Sequence, residues 1–96
     1  MFRHIVMLGF KQPLTTQDHD YMVQACAAIR RELPGVIDLR FVANEADRGL
    51  AYTHAFVGDF VDAAAHEHYQ RAAIHVPLKQ RVMELSSHLV VLDCRL

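Results

Sequence analysis

The sequence predicts a two-layer α+β domain whose sheet is apolar on both faces, and three observations carry that expectation. Strand-like and helix-like segments follow one another in the order β-α-β-β-α-β. The helical segments each carry one apolar stripe, whereas the first and last strand segments carry apolar residues at both odd and even positions. The breaks between segments fall on Pro, Gly, Ser and Asp residues with turn or capping chemistry.

The elements follow in order. Phe2 to Phe10 is rich in β-formers and stops at Lys11-Gln12-Pro13. Thr15 or Thr16 caps a helix running to about Leu33, with Met22, Cys26, Ile29 and Leu33 on one face and Gln17, Asp18, Asp20, Gln24, Arg30 and Arg31 on the other. Pro34-Gly35 ends it. Val36 to Ala43 alternates, with Ile37, Leu39 and Phe41 on one side and Asp38 and Arg40 on the other, the pattern of a half-buried edge strand. A polar loop from Asn44 to Leu50 precedes a third strand from about Tyr52 to Phe60. Asp62 caps an alanine-rich helix to about Tyr69, and Gln70 to Pro77 reads as irregular. A further helix from Leu78 to about Leu85 presents Leu78, Val82 and Leu85 on one face. Ser86-Ser87 breaks it before the last strand, His88 to Cys94.

This order is the split β-α-β pattern of ferredoxin-like domains, in which an antiparallel sheet of order 4-1-3-2 carries its helices on one face. In the first strand Ile5 and Met7 oppose Val6, Leu8 and Phe10; in the last, Leu89 and Val91 oppose Val90 and Leu92. Helices cover one of these faces, and the other is a larger apolar patch than soluble monomers ordinarily expose. A two-fold homodimer stacking the open faces into a barrel-like core resolves this. A monomer with one wet face suits only the polar side of the second strand.

At 96 residues the chain has the length of a single domain, 1–96, and buries only about two-thirds of its unfolded surface alone, which also favours a partner. A formal charge of −1 with scattered Lys and Arg excludes the basic face that nucleic acid requires. The two cysteines, Cys26 on a helix stripe and Cys94 near a strand end, match neither a disulfide framework nor a zinc motif. No signal-like leader and no run of membrane-spanning length occurs, so a soluble cytoplasmic protein is expected. Phosphate loops, nucleophile elbows and dinucleotide fingerprints are absent, so no cofactor is expected.

The stretch His4-Ile5-Val6-Met7-Leu8-Gly9-Phe10, the stop Leu33-Pro34-Gly35-Val36, Tyr52-Thr53-His54 before a strand, and Tyr69 followed by His75 occur as an ordered set. Together they resemble the stress-responsive α/β-barrel (Dabb) domain family along essentially the whole chain. The resemblance implies a dimeric ferredoxin-like barrel. One plant branch, olivetolic acid cyclase, closes a linear polyketide by cofactor-free aldol condensation. By that resemblance Tyr69 and His75 correspond to its catalytic pair, and His4 and His54 also have counterparts. The chain departs from the family where Ala72-Ala73 replaces a His-Pro pair and Leu78 replaces an aromatic.

Seven histidines in so short a chain invite an acid–base or metal reading. Tyr69 and His75 would act as enolate stabiliser and general base if the intervening turn folds His75 back. Without a pocket they read more simply as a packed tyrosine and a histidine satisfying loop carbonyls. His4 shares a side with Val6, Leu8 and Phe10, and His54 with Phe56, Gly58 and Phe60, so both edge the space between sheet and helices, the natural place for a small ligand. Gly58 either leaves room there or relieves a tight twist. Both histidines begin antiparallel neighbouring strands and lie at opposite ends of the sheet. His54 is the expected neighbour of Tyr69 and His75, and His4 the distant one. His66 and His68 point in different directions on a helix, and with His19 and His88 they read as surface or capping residues, so no metal site is expected. Three functional readings follow: a dimer binding a small hydrophobic molecule, a cofactor-independent enzyme of polyketide-cyclase or monooxygenase type, and a purely structural assembly.

Overall fold

A computed structural model describes residues 1–96. The elements are β1 (Phe2–Phe10), α1 (Thr16–Glu32), β2 (Val36–Ala43), β3 (His54–Phe60), α2 (Ala63–Arg71), α3 (Val76–Leu85) and β4 (Ser86–Arg95). The four strands form one antiparallel sheet in the order β2-β3-β1-β4, the ferredoxin-like arrangement. No helix is long and apolar enough to cross a membrane.

Capping sets the helix starts. The Thr15 hydroxyl accepts a hydrogen bond from the Asp18 amide at 3.1 Å, and the Asp62 carboxylate accepts from the Ala65 amide at 2.8 Å. The stripe Met22, Cys26, Ile29 and Leu33 is buried, as its spacing requires, against Leu8, Leu39, Phe56 and Phe60 of the sheet. Burying a thiol in that setting pushes the Cys26 pKa up to about 12, so it behaves as a small apolar residue.

The stretch from Gln70 to Pro77 is more regular than its composition implies. Helix α2 continues to Arg71, and a single 3-10 turn, Ala73–His75, leads directly into α3. Pro77 fits the first turn of α3, where its missing N–H has no intrahelical partner to lose.

Register divides the sheet into two faces. His4, Val6 and Leu8 align with Gly58, Phe56 and His54 on β3 and with Asp93, Val91 and Leu89 on β4, and this set faces the helices. Ile5 and Met7 align with Val57 and Ala55 on one side and Leu92 and Val90 on the other, forming the uncovered face. Leu92 is 56% exposed there and Val90 48%. One end of this face is charged but internally paired: the Arg3 guanidinium donates to both Asp59 oxygens at 2.7 and 3.0 Å, and Arg40 lies against Asp38. That hydrogen bonding holds the Asp59 carboxyl below its ordinary pKa.

On the sheet one side-chain placement differs from the sequence reading, and one open alternative is decided. Ile37 was expected beside Leu39 and Phe41, but the β2–β3 register slips between Val36 and Asp38. This bulge turns Val36 into the core and leaves Ile37 54% exposed. Gly58 leaves no open room: a Cβ there would lie 2.9 Å from the Phe60 ring and 3.2 Å from Leu39, so the missing side chain is what lets Phe60 pack across the strand.

Candidate functional site

The helices do not cover the sheet evenly. Helix α3 stands over β1 but leaves Leu89 and Val91 of edge strand β4 half-exposed on the helix side. The groove beneath it is a cavity of about 210 Å³. Val6, Phe56, Leu78, Val82, Leu89 and Val91 supply its apolar walls. Its polar groups are few and come from separate elements: His4 from β1, Tyr69 and Gln70 from α2, His75 from the 3-10 turn and Lys79 from α3.

Tyr69 and His75 therefore do meet, and the 3-10 turn is what folds His75 back. Their rings stack, with centroids 4.0 Å apart and planes at 23°. The Tyr69 hydroxyl has no hydrogen-bond partner within the chain, and burial raises its pKa. His75 is 6% exposed, and its Nδ1 is shut off from solvent without a hydrogen-bond partner. Burial, with lesser contributions from the Lys79 and His4 charges, pushes its pKa down to about 4 against the opposing backbone of Tyr69 and Gln70. The imidazole is consequently neutral at pH 7.

The second histidine at this site is His4, not His54. The His4 ring lies 6.2 Å from the Tyr69 ring, and its Nδ1 is 2.5 Å from an Asp93 carboxylate oxygen. With Asp93 ionised, His4 Nδ1–H donates to it, and the contact orients the ring. The expectation that placed His54 beside Tyr69 took α2 to return along β3 to its start. Helix α2 is too short for that, and Tyr69 stays over Phe60 at the end of β3, with ring centroids 5.1 Å apart. His54 pairs with Leu8, about 13 Å along β1 from His4. There it stacks flat on Phe41 at 5.1 Å, accepts or donates a 2.9 Å hydrogen bond with the Thr53 hydroxyl, and faces a separate open cleft shared with Lys11 and His19. Its pKa is lowered by burial and then by His19.

Sequence reading also placed His66 at the surface. It is 8% exposed, stacked on Phe2 at 4.8 Å and tilted against His4 at 4.5 Å. Asp93 was not singled out at all. The available signal was one carboxylate in an otherwise apolar strand, in phase with Leu89 and Val91; only the β1–β4 register sets it opposite His4.

Comparison with known proteins agrees with this architecture. The stress responsive A/B barrel domain family matches residues 2–96. A dimeric ferredoxin-like protein of unknown function from Jannaschia sp. CCS1 superposes with a TM-score of 0.88 at 20% identity, covering 99% of this chain and 98% of that one. A Dabb family protein from Mesorhizobium loti gives 0.80 at 19% identity, covering 99% and 95%. Hydroxynitrile lyase from Passiflora edulis gives 0.83 at 18% identity, covering 97% and 90%. No curated protein matches the sequence. With residues 2–96 matched from the first strand to the last, the chain belongs to the stress responsive A/B barrel domain (Dabb) family.

Proposed function

We propose that this protein works as a homodimer, joined through the open face of its sheet, that binds a small apolar molecule in the groove under α3. The observation that carries the reading is the cavity itself: apolar walls with a few polar groups converging on one side, as in small-molecule sites. Its volume of about 210 Å³ suits a ligand of one ring or a short chain, since a cavity of about 150 Å³ accepts benzene. The Tyr69 hydroxyl is the free donor for a carbonyl or hydroxyl on that ligand. Dimerisation is supported by the uncovered Ile5, Met7, Val57, Val90 and Leu92 face and by the dimeric ferredoxin-like proteins of similar fold.

A cofactor-independent acid–base enzyme is the second reading. It is favoured by the Asp93–His4 pair, which orients one imidazole near Tyr69 and neutral His75. The hydroxynitrile lyase of similar fold is consistent with that chemistry on a small carbonyl compound. The stacking of Tyr69 on His75, in place of a hydrogen bond between them, makes binding the stronger reading.

Acetophenone and 4-ethylphenol titrated against labelled protein test this. Saturable NMR shifts at Tyr69, His75 and Leu78, abolished by Val82→Trp with the dimer intact, are expected. Shifts confined to the His54 cleft, or none with either probe, would overturn the site. For the enzyme reading, turnover of any substrate found must be lost in His75→Ala.

A further inference from the structure

Behind the groove, three polar side chains from three elements converge. These are His4 on β1, His66 on α2 and Asp93 on β4. One ligand atom from each lies within 4.8 Å of the other two. Both histidines are buried, and the aromatic rings of Phe2 and Phe60 pack on His66 at 4.8 and 5.1 Å. Two imidazoles set side by side among phenyl rings are an expensive way to fill a core, because each carries polar nitrogens out of water. Asp93 satisfies one nitrogen of His4, and Gln70 sits 3.1 Å from Nε2 of His66.

We propose that His4, His66 and Asp93 form a binding site for a divalent transition metal of the zinc class, with the metal taking the place of the proton shared by His4 and Asp93. Two imidazoles and one carboxylate are a donor set suited to zinc, and three protein ligands leave a fourth position for water or a ligand. Tetrahedral bonds of about 2.0–2.2 Å set ligand atoms about 3.4 Å apart. The 2.5 Å contact between His4 and Asp93 must therefore open by about 1 Å and the His66 nitrogen must close in by a similar distance. Asp93 lies on an edge strand with its side chain 39% exposed, so it can make that adjustment. Gln70 is placed to hold the His66 ring in orientation, the role outer-sphere partners have in metal sites. Of the three ligands only His4 lines the groove, and the site stands whether or not the groove holds an organic ligand.

The test is titration of chelator-treated full-length protein with Zn²⁺ alone by calorimetry, and with Co²⁺ alone by visible absorption. One ion per chain is expected, with d–d bands of a four- or five-coordinate Co²⁺ and changed ring resonances for His4 and His66. His66→Phe keeps an aromatic ring against Phe2 and Phe60, and Asp93→Asn changes an exposed position. Each should weaken Zn²⁺ binding about 100-fold or more, beyond the loss typical of outer-sphere partners. His19→Ala and His68→Ala should leave affinity unchanged. Binding no tighter than millimolar, binding that survives Asp93→Asn, or binding lost with His19→Ala or His68→Ala would each overturn the site. If His66→Phe does not fold, the Asp93→Asn result decides.

Discussion

The rings of Tyr69 and His75 lie face to face, with centroids 4.0 Å apart, and no hydrogen bond joins them. The tyrosine thus has two separable parts: a ring that packs against His75 and Phe60, and a hydroxyl with no partner in the chain. Tyr69→Phe should cost under about 1 kcal/mol of stability, because no intramolecular hydrogen bond is lost. Tyr69→Ala should cost about 3–5 kcal/mol, as for other buried aromatics. Chemical denaturation measures both. Affinity for a phenol or ketone probe should fall in the Phe variant despite its native stability. A Phe variant as unstable as the Ala variant would show that the hydroxyl has a structural role.

His75 links stability to pH. Its folded pKa of about 4 lies below the ordinary value of 6.5 that the unfolded chain recovers. Above pH 6.5 both states hold it neutral and its burial carries no protonation penalty. As pH falls from 6.5 toward 4 the unfolded state takes up a proton that the folded state refuses, so stability is lost across that window. The His75 share is at most about 3 kcal/mol. His75→Phe keeps a stacking ring but cannot titrate, and its unfolding free energy should fall less steeply between pH 6.5 and 4.5. Parallel pH profiles for the two proteins would refute the linkage.

The open sheet face makes a separate prediction. Val90 and Leu92 on edge strand β4 are aligned with Met7 and Ile5 of the neighbouring inner strand. Val90→Lys with Leu92→Lys places two unpaired charges where a partner sheet would lie, and burying even one costs several kcal/mol. The dimer should weaken about 100-fold or more, reading in light scattering as a fall from two chains to one chain of 10.9 kDa. Val23→Lys, on the exposed side of α1, should leave the mass unchanged. A wild-type mass of one chain at micromolar concentration would end the dimer proposal.

Gly9 locks the loop before β3 to the sheet. His88 on β4 lies across it and its Nε2 hydrogen-bonds the Ala51 carbonyl at 2.8 Å. A Cβ on Gly9 would meet the His88 ring at 2.3 Å and the Ala51 oxygen at 2.4 Å. Gly9→Ala should therefore break that bond and cost about 1–3 kcal/mol. Hydrogen exchange should rise at residues 49–53 with the helices unaffected. Unchanged exchange there would mean that the loop is held by other contacts.

Local patterning made most of the architecture legible. The Met22, Cys26, Ile29 and Leu33 stripe, the Thr15 and Asp62 caps and the alternation in β1 and β4 each depend on residues a turn or a pleat apart. Ile37 escaped because a bulge moves a whole register without altering composition. His66 escaped because its partners, Phe2, Phe60 and His4, are on other elements.

The sequence by itself determined the element order and the two-faced sheet, since these follow from periodicity and capping, while the meeting of Tyr69 with His75 depended on a turn that composition left open. Only the tertiary structure decided that His4 rather than His54 joins them, that Asp93 anchors His4, and that His66 lies inside. Those relations depend on strand register and on how far a short helix crosses the sheet. Both are settled by packing between residues distant in the chain, which no local pattern encodes.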